Sequence, residues 1–345
     1  MKALTISAHG GLDRIEIADV PVPELRSPCE VRLRMRAAAL NHLDLFVVGG
    51  LPGVTITPNW ILGADGCGVV EQVGADVRGL SVGDRVLINP GISDRDCEYC
   101  RAGEQPLCPR FGILGEHQPG TMAEHVVLPA ANLRRVPDGV SDAEAAAFTL
   151  VTLTAWRMVM TRARVQRGET VLIWGIGGGV AQAAMRICLA VGARVWVTSS
   201  DEAKLDKARS LGAHETLNHR DVDVGRQIRE HTGKRGVDVV IDNVGESTWA
   251  KSLVALGKRG RLVTCGGTTG PMVVTDVRRL FWNQWSILGS TMGNDAEFDA
   301  IVGELRAGRL RPVIDDVLPL EQGRAAFERM AAGRQFGKIV LSIDG

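Results

Sequence analysis

The sequence predicts an α/β protein in two parts, a β-rich domain and a doubly wound domain built on a parallel sheet. Three observations carry this. Up to about residue 128 the chain reads as short apolar runs between Gly, Pro and Asp. From about residue 140, apolar runs of the kind buried in parallel sheets alternate with helical patterns. Finally, "TVLIWGIGGGVAQAAMRICLA" sets a glycine run directly after a strand and at the start of a helix.

Taken in order, "CEVRLRMRAAAL", "GCGVVEQVG", "GDRVLI" and "AEHVVL" carry the alternation or β-branched content of strands. "SDAEAAAFTLVTLTAWRMVM" then shows helical periodicity behind a Ser-Asp start signal. The strands "TVLIWG", "RVWVTS", "VDVVIDNVG" and "GRLVTCGG" follow, with helices such as "DEAKLDKARSLG" between them. After "WSILGSTM" come an amphipathic helix, "NDAEFDAIVGELRAGRL", and a last strand, "GKIVLSI". This tail is expected to pack on the first domain, giving one domain of residues 1–128 and 292–345 and a second of 129–291.

The chain has 345 residues, 45% of them apolar, with 40 basic and 40 acidic side chains. That is enough apolar material for a large core, and its neutrality favours neither nucleic acid nor an acidic membrane. There is no signal-peptide pattern at the start and no stretch near the roughly 20 apolar residues of a membrane span. A cytoplasmic protein is expected, in which seven cysteines do not form a disulfide framework.

The glycine run suits a pyrophosphate. Backbone without Cβ atoms approaches closely there, and the helix start offers unpaired N–H groups and the positive end of its dipole. The spacing reads best as Gly175, Gly178 and Ala181. The end of the next strand, "VTSSDEAK", lacks the acid that selects NAD, whereas Ser199, Ser200 and Lys204 suit a 2′-phosphate, so NADP is expected and NAD remains possible. Asp201 and Glu202 read as a helix start with Asp201 as its cap. The candidate cofactor-binding set is Gly175, Gly178, Gly179, Val180, Ser199, Ser200, Lys204, Asn243, Gly266 and Thr154.

"GISDRDCEYCRAGEQPLC", residues 91–108, holds three of the seven cysteines. Its "CEYC" pair fits either a redox couple or part of a metal site.

Over its whole length the chain resembles the medium-chain dehydrogenase/reductase superfamily, on "AAALNHLDLFVVGG", "ILGADGCGVVEQVGADVRGLSVGDRV", the cysteine loop, "GTMAEHVVLP", "GIGGGVAQAA", "RSLGA" and "FGKIVL". The resemblance implies a GroES-like catalytic domain holding both chain ends and a Rossmann domain between them. It implies a homodimer or homotetramer, with "RRLFWNQWSILG" a plausible contact, acting on a small molecule. It also implies a structural zinc in the lobe 91–110, whose four positions fall on Asp94, Cys97, Cys100 and Cys108. A carboxylate is an acceptable fourth donor.

The catalytic zinc of the family's alcohol dehydrogenases does not carry over. Its positions fall on Asn41, on Ala64 and Asp65 in "GAD", and near Leu150. Asn41 matches an asparagine typical of the quinone reductase branch, while Phe46 stands where a tyrosine is common. Reduction of a conjugated C=C bond or a quinone asks less of a site, because the developing charge spreads onto an oxygen that hydrogen bonds can hold. The expected enzyme is therefore an NADPH-dependent reductase of enones, enoyl thioesters or quinones, with Asn41, His42 and Asp44 as candidate catalytic residues. An alcohol or aldehyde dehydrogenase with an atypical site, or a non-catalytic NADPH-binding protein, are the alternatives.

Overall fold

The computed structural model describes residues 1–343, which form two compact units, residues 1–151 with 294–343 and residues 152–293. The first break falls later than the sequence pattern places it. Strand Leu133–Arg135 pairs antiparallel with Arg85–Ile88, so the stretch after residue 128 still completes the first unit's sheet. Helix Asp142–Trp156 begins as expected: Ser141 Oγ accepts the Glu144 N–H at 3.2 Å, and the Glu144 carboxylate accepts the Ser141 N–H at 2.9 Å.

The first unit is organised by strand Glu30–Ala39. Its Val31, Leu33 and Met35 point inward, fully buried, and alternate with arginines. Along one edge its first half pairs with His125–Pro129 and its second half with Lys338–Ser342, and Asp65–Val73 runs along the other. Seven strands join in this sheet, and the chain's two ends meet there, since Lys338–Ser342 also pairs in parallel with Ile314–Pro319. A three-stranded sheet of Lys2–Ile6, Glu16–Asp19 and Trp60–Ile61 closes the core around Leu4, Leu62 and Phe327. The short pair Gly91–Ile92 and Gly112–Ile113 frames the cysteine loop.

The second unit carries a six-stranded parallel sheet in the order Glu215–Asn218, Arg194–Ser199, Thr170–Ile173, Val237–Ile241, Leu256–Thr264, Ser286–Gly289. Val171, Leu172, Ile173, Val239, Val240 and Ile241 are wholly buried, as central strands covered on both faces require. From Thr170–Ile173 the chain winds outward one way, then returns to its other side. The crevice for a ligand in such sheets opens where the order reverses, here at the loops after Ile173 and Ile241. No helix among the described residues is long and apolar enough to cross a membrane.

Candidate active site and metal centre

In the first unit three stretches of chain converge on the carboxylate of Asp65, which starts its strand with no exposed surface. One carboxylate oxygen accepts Thr149 Oγ1–H at 2.6 Å and the Leu150 N–H at 2.7 Å. The other accepts Asn41 Nδ2–H and the Lys338 ammonium, both at 3.0 Å. The positions that resemblance marks for a catalytic zinc, Asn41, Asp65 and Leu150, are thus brought together, but around a lysine. Lys338 is 4% exposed, and its Nζ also donates to Asn41 Oδ1 at 2.5 Å. It was missed in the sequence; its only signal there is a lone cation in the apolar run "GKIVLSI".

Asn41 is consequently spent. Its amide donates to Asp65 and to the Ala39 carbonyl and accepts from Lys338. Its backbone N–H donates to Asp44 Oδ2 at 2.7 Å, which starts helix His42–Gly49. Asp44, 1% exposed, has its carboxyl pushed up to about 7 by burial, against the lowering hydrogen bond from Asn41 and the Lys338 charge. His42 is the accessible member of the three candidates. Its surface is open to solvent, yet protein lies on most sides of it. That surrounding mass, and then the Lys338 charge, lower its imidazole below the ordinary value.

In the lobe, the ligand atoms of Asp94, Cys97, Cys100 and Cys108 all lie within 4.8 Å of one another. Four donors around a tetrahedral zinc at ~2.3 Å stand about 3.8 Å apart, so this set fits the ion after a small contraction. The chemistry fits as well. The Cys97 sulfur caps the short helix Glu98–Arg101 by accepting the Cys100 N–H at 3.4 Å, and Cys108 accepts N–H groups of Asp94 and Arg110 at 3.5 and 3.3 Å. Backbone donors thus already face the sulfurs as they would thiolates. Backbone N–H groups of Cys97 and Asp96 hold the Asp94 carboxyl well below its usual range, helped by Arg110.

In the second unit Gly175 turns at φ +70° after its strand, where a Cβ would meet only Val244 Cγ2 at 3.9 Å. Gly178 precedes helix Gly179–Val191, whose start has no side-chain cap among the described residues, so its first-turn N–H groups lack an intrahelical partner. Ala181 is buried against the sheet, and half-buried Gly179 and Val180 begin the helix. This is a cradle that fits a pyrophosphate. Asn243 and Gly266 sit side by side at the ends of neighbouring strands, with a Cβ on Gly266 3.9 Å from the Asn243 carbonyl. Thr154 is apart in its contacts: it is buried and donates to Met292 Sδ at 3.6 Å.

At the end of Arg194–Ser199, Ser199 is 6% exposed and accepts the Asp201 N–H, Ser200 and Lys204 are half-buried, and Asp201 caps the following helix through the Ala203 N–H. His219, not singled out from sequence, donates its backbone N–H to the Ser199 carbonyl at 3.0 Å. Its Nδ1 is buried without a hydrogen-bond partner among the described residues.

With this geometry in view the comparisons are specific. A zinc-binding dehydrogenase model matches residues 179–307, and an alcohol dehydrogenase GroES-like domain model matches residues 27–138. A quinone oxidoreductase of Pseudomonas aeruginosa is 32% identical over 351 residues, spanning 99% of each chain. The chain belongs to the medium-chain dehydrogenase/reductase superfamily. An acryloyl-coenzyme A reductase of Metallosphaera sedula is 31% identical over 99% of this chain and 100% of its own. A crystal structure of an NAD-dependent alcohol dehydrogenase superposes with a TM-score of 0.94 at 44% identity, covering both chains completely. This member of the superfamily is accordingly an NAD(P)H-dependent oxidoreductase with a GroES-like and a Rossmann-like part.

The raised Asp44 carboxyl has a consequence for stability. Because the folded chain holds this proton more tightly than the unfolded one, the contribution is full below the unfolded value near ~4 and is lost as pH rises through about 7. Between about pH 5 and about pH 8, denaturant midpoints of the wild type should therefore fall by more than those of Asp44→Asn, whose side chain does not ionise. Parallel pH profiles for the two proteins would show that Asp44 ionises without cost.

Proposed function

We propose that this oxidoreductase reduces an activated C=C bond, in an enone or enoyl thioester, or a quinone, using NADPH and no catalytic zinc. The observation that carries the reading is the Lys338 ammonium, lodged between Asn41 and Asp65 at the centre where a metal would need free donors. Asn41 Oδ1, the atom that would face a metal, already accepts from Lys338, and Ala64 and Leu150 have no side-chain ligand atom at all.

Bound nicotinamide supplies the hydride. The chain's own part is to hold the cofactor and to manage charge and a proton. Gly175, Gly178, Gly179 and Val180 cradle the pyrophosphate, and Asn243 and Gly266 border the same strand ends. Ser199, Ser200 and Lys204, at the end of strand Arg194–Ser199, suit a 2′-phosphate. His42 is the catalytic residue: as a neutral imidazole it donates N–H to the oxygen that gathers charge and passes on the second proton, which solvent replaces. Asn41 and Asp44 act beneath it, fixing the first turn of its helix. Asp94, Cys97, Cys100 and Cys108 hold a structural zinc that shapes the lobe. The protein works as a dimer or tetramer in the cytoplasm, with exposed Phe281 and Trp282 at the contact between copies.

A second reading, NAD-linked alcohol oxidation, is favoured by the 44% identity to the NAD-dependent alcohol dehydrogenase of known structure. Two measurements separate them, and a third tests the zinc lobe. A chelator mild enough to spare the fold should leave enone or quinone turnover largely intact. Loss of all turnover with native circular dichroism and NADPH binding would put a metal back at the reacting atoms. NADPH should bind more tightly than NADH, with Lys204→Ala narrowing the gap; equal affinities in the wild type favour the second reading. Lastly, Asp94→Ala should lose zinc and become protease-sensitive, while Asp94→Cys and the control Asp96→Ala keep the metal. Full zinc in Asp94→Ala would assign the fourth position to another donor.

A further inference from the structure

A buried lysine costs several kcal/mol of desolvation unless it is matched, and methionine would fill the same space without that cost. The cation at residue 338 therefore calls for a reason. Its ammonium has two partners, Asn41 Oδ1 and Asp65 Oδ2, and between them they leave the Asn41 amide one orientation. The next residue is His42, the accessible ring of the cluster.

We propose that Lys338 is the positioning residue of this centre: clamped between Asp65 and Asn41, its ammonium fixes the Asn41 amide and, through Asn41, the first turn of helix His42–Gly49, and it sets a fixed cation on the residue before His42. The inference deepens the reading of His42 as proton donor and rests on it for its catalytic meaning. Geometry isolates the effect. On the same helix the other ionisable group is Asp44, and Asp65 faces the centre from its strand. Helix Gly323–Ala331, packed on His42–Gly49, carries Arg324, Glu328 and Arg329; Arg324 is bonded to the Ile15 carbonyl and Arg329 to Asp315. His9 bonds Val47 and Val54 carbonyls, away from the helix start. Lys338 is thus the cation tied directly to the residue before His42, and its charge acts on that imidazole in the lowering direction.

The test is the proton affinity of His42 itself, followed by NMR on the full chain and assigned by the resonance lost in His42→Gln. Lys338→Met should raise that affinity at least about tenfold, since a cation is removed and Asp65 is left unmatched. Asp65→Asn should move it the opposite way, because Lys338 then stands alone. Lys338→Arg, which keeps the charge, should stay near the wild type, and it and Asp65→Asn carry the test if Lys338→Met fails to fold. Single variants that shift His42 in the same direction, or not at all with native circular dichroism, overturn the inference. Turnover is a separate readout. If His42→Gln retains full activity while the titrations follow this pattern, the proton-donor reading fails and the role of Lys338 stands.

Discussion

A carboxylate with no exposed surface has to be matched donor for donor, and at Asp65 that requirement draws together the end of one strand, the start of a second, the middle of a helix and the C-terminal strand. None of these stretches is near the others in sequence. The lysine that completes the set comes from residue 338, so the last strand must pair along Glu30–Ala39 for the centre to exist. Breaking such a pair by removing one partner typically costs 3–5 kcal/mol, because the other charge is left buried. The site and the closure of the first unit are therefore one structural fact.

The second unit meets the same constraint without a cation. Asp242, at the end of strand Val237–Ile241 and equally buried, accepts N–H groups of Val244 and Gly245 and the hydroxyls of Thr248 and Ser252. Trp174 donates to Ser252 in turn, tying the end of strand Thr170–Ile173 to the same network. Both loops at the reversal of strand order are thereby fixed from below, which leaves the glycine backbone above them free for a ligand. Rigid strand ends under an open loop are what a hydride donor needs for reproducible placement.

Much of this was legible in the sequence. Strand alternation in "CEVRLRMRAAAL" and the glycine run both rest on local rules, and the structure follows them at Val31, Leu33 and Met35 and at Gly175. The clustering of Asp94, Cys97, Cys100 and Cys108 was also legible, because the four lie within one loop. The role of Asn41 was not. Its partners Asp65 and Lys338 are separated from it by long stretches of chain, and no local pattern states that an inward amide will be saturated. Lys338 itself reads as an ordinary surface cation until the sheet pairing is known. The domain boundary was misplaced for a similar reason: strand Leu133–Arg135 is three residues long, too short to show periodicity, and belongs to the first unit through its partner.

Elemental analysis of the protein, purified without chelators, tests the account most directly. A centre filled by Lys338 and a lobe held by Asp94 and three cysteines predict about one zinc per chain, all of it lost on Cys100→Ser. About two zinc ions per chain, with one surviving Cys100→Ser, would contradict the account, because a metal would then share the centre with the lysine.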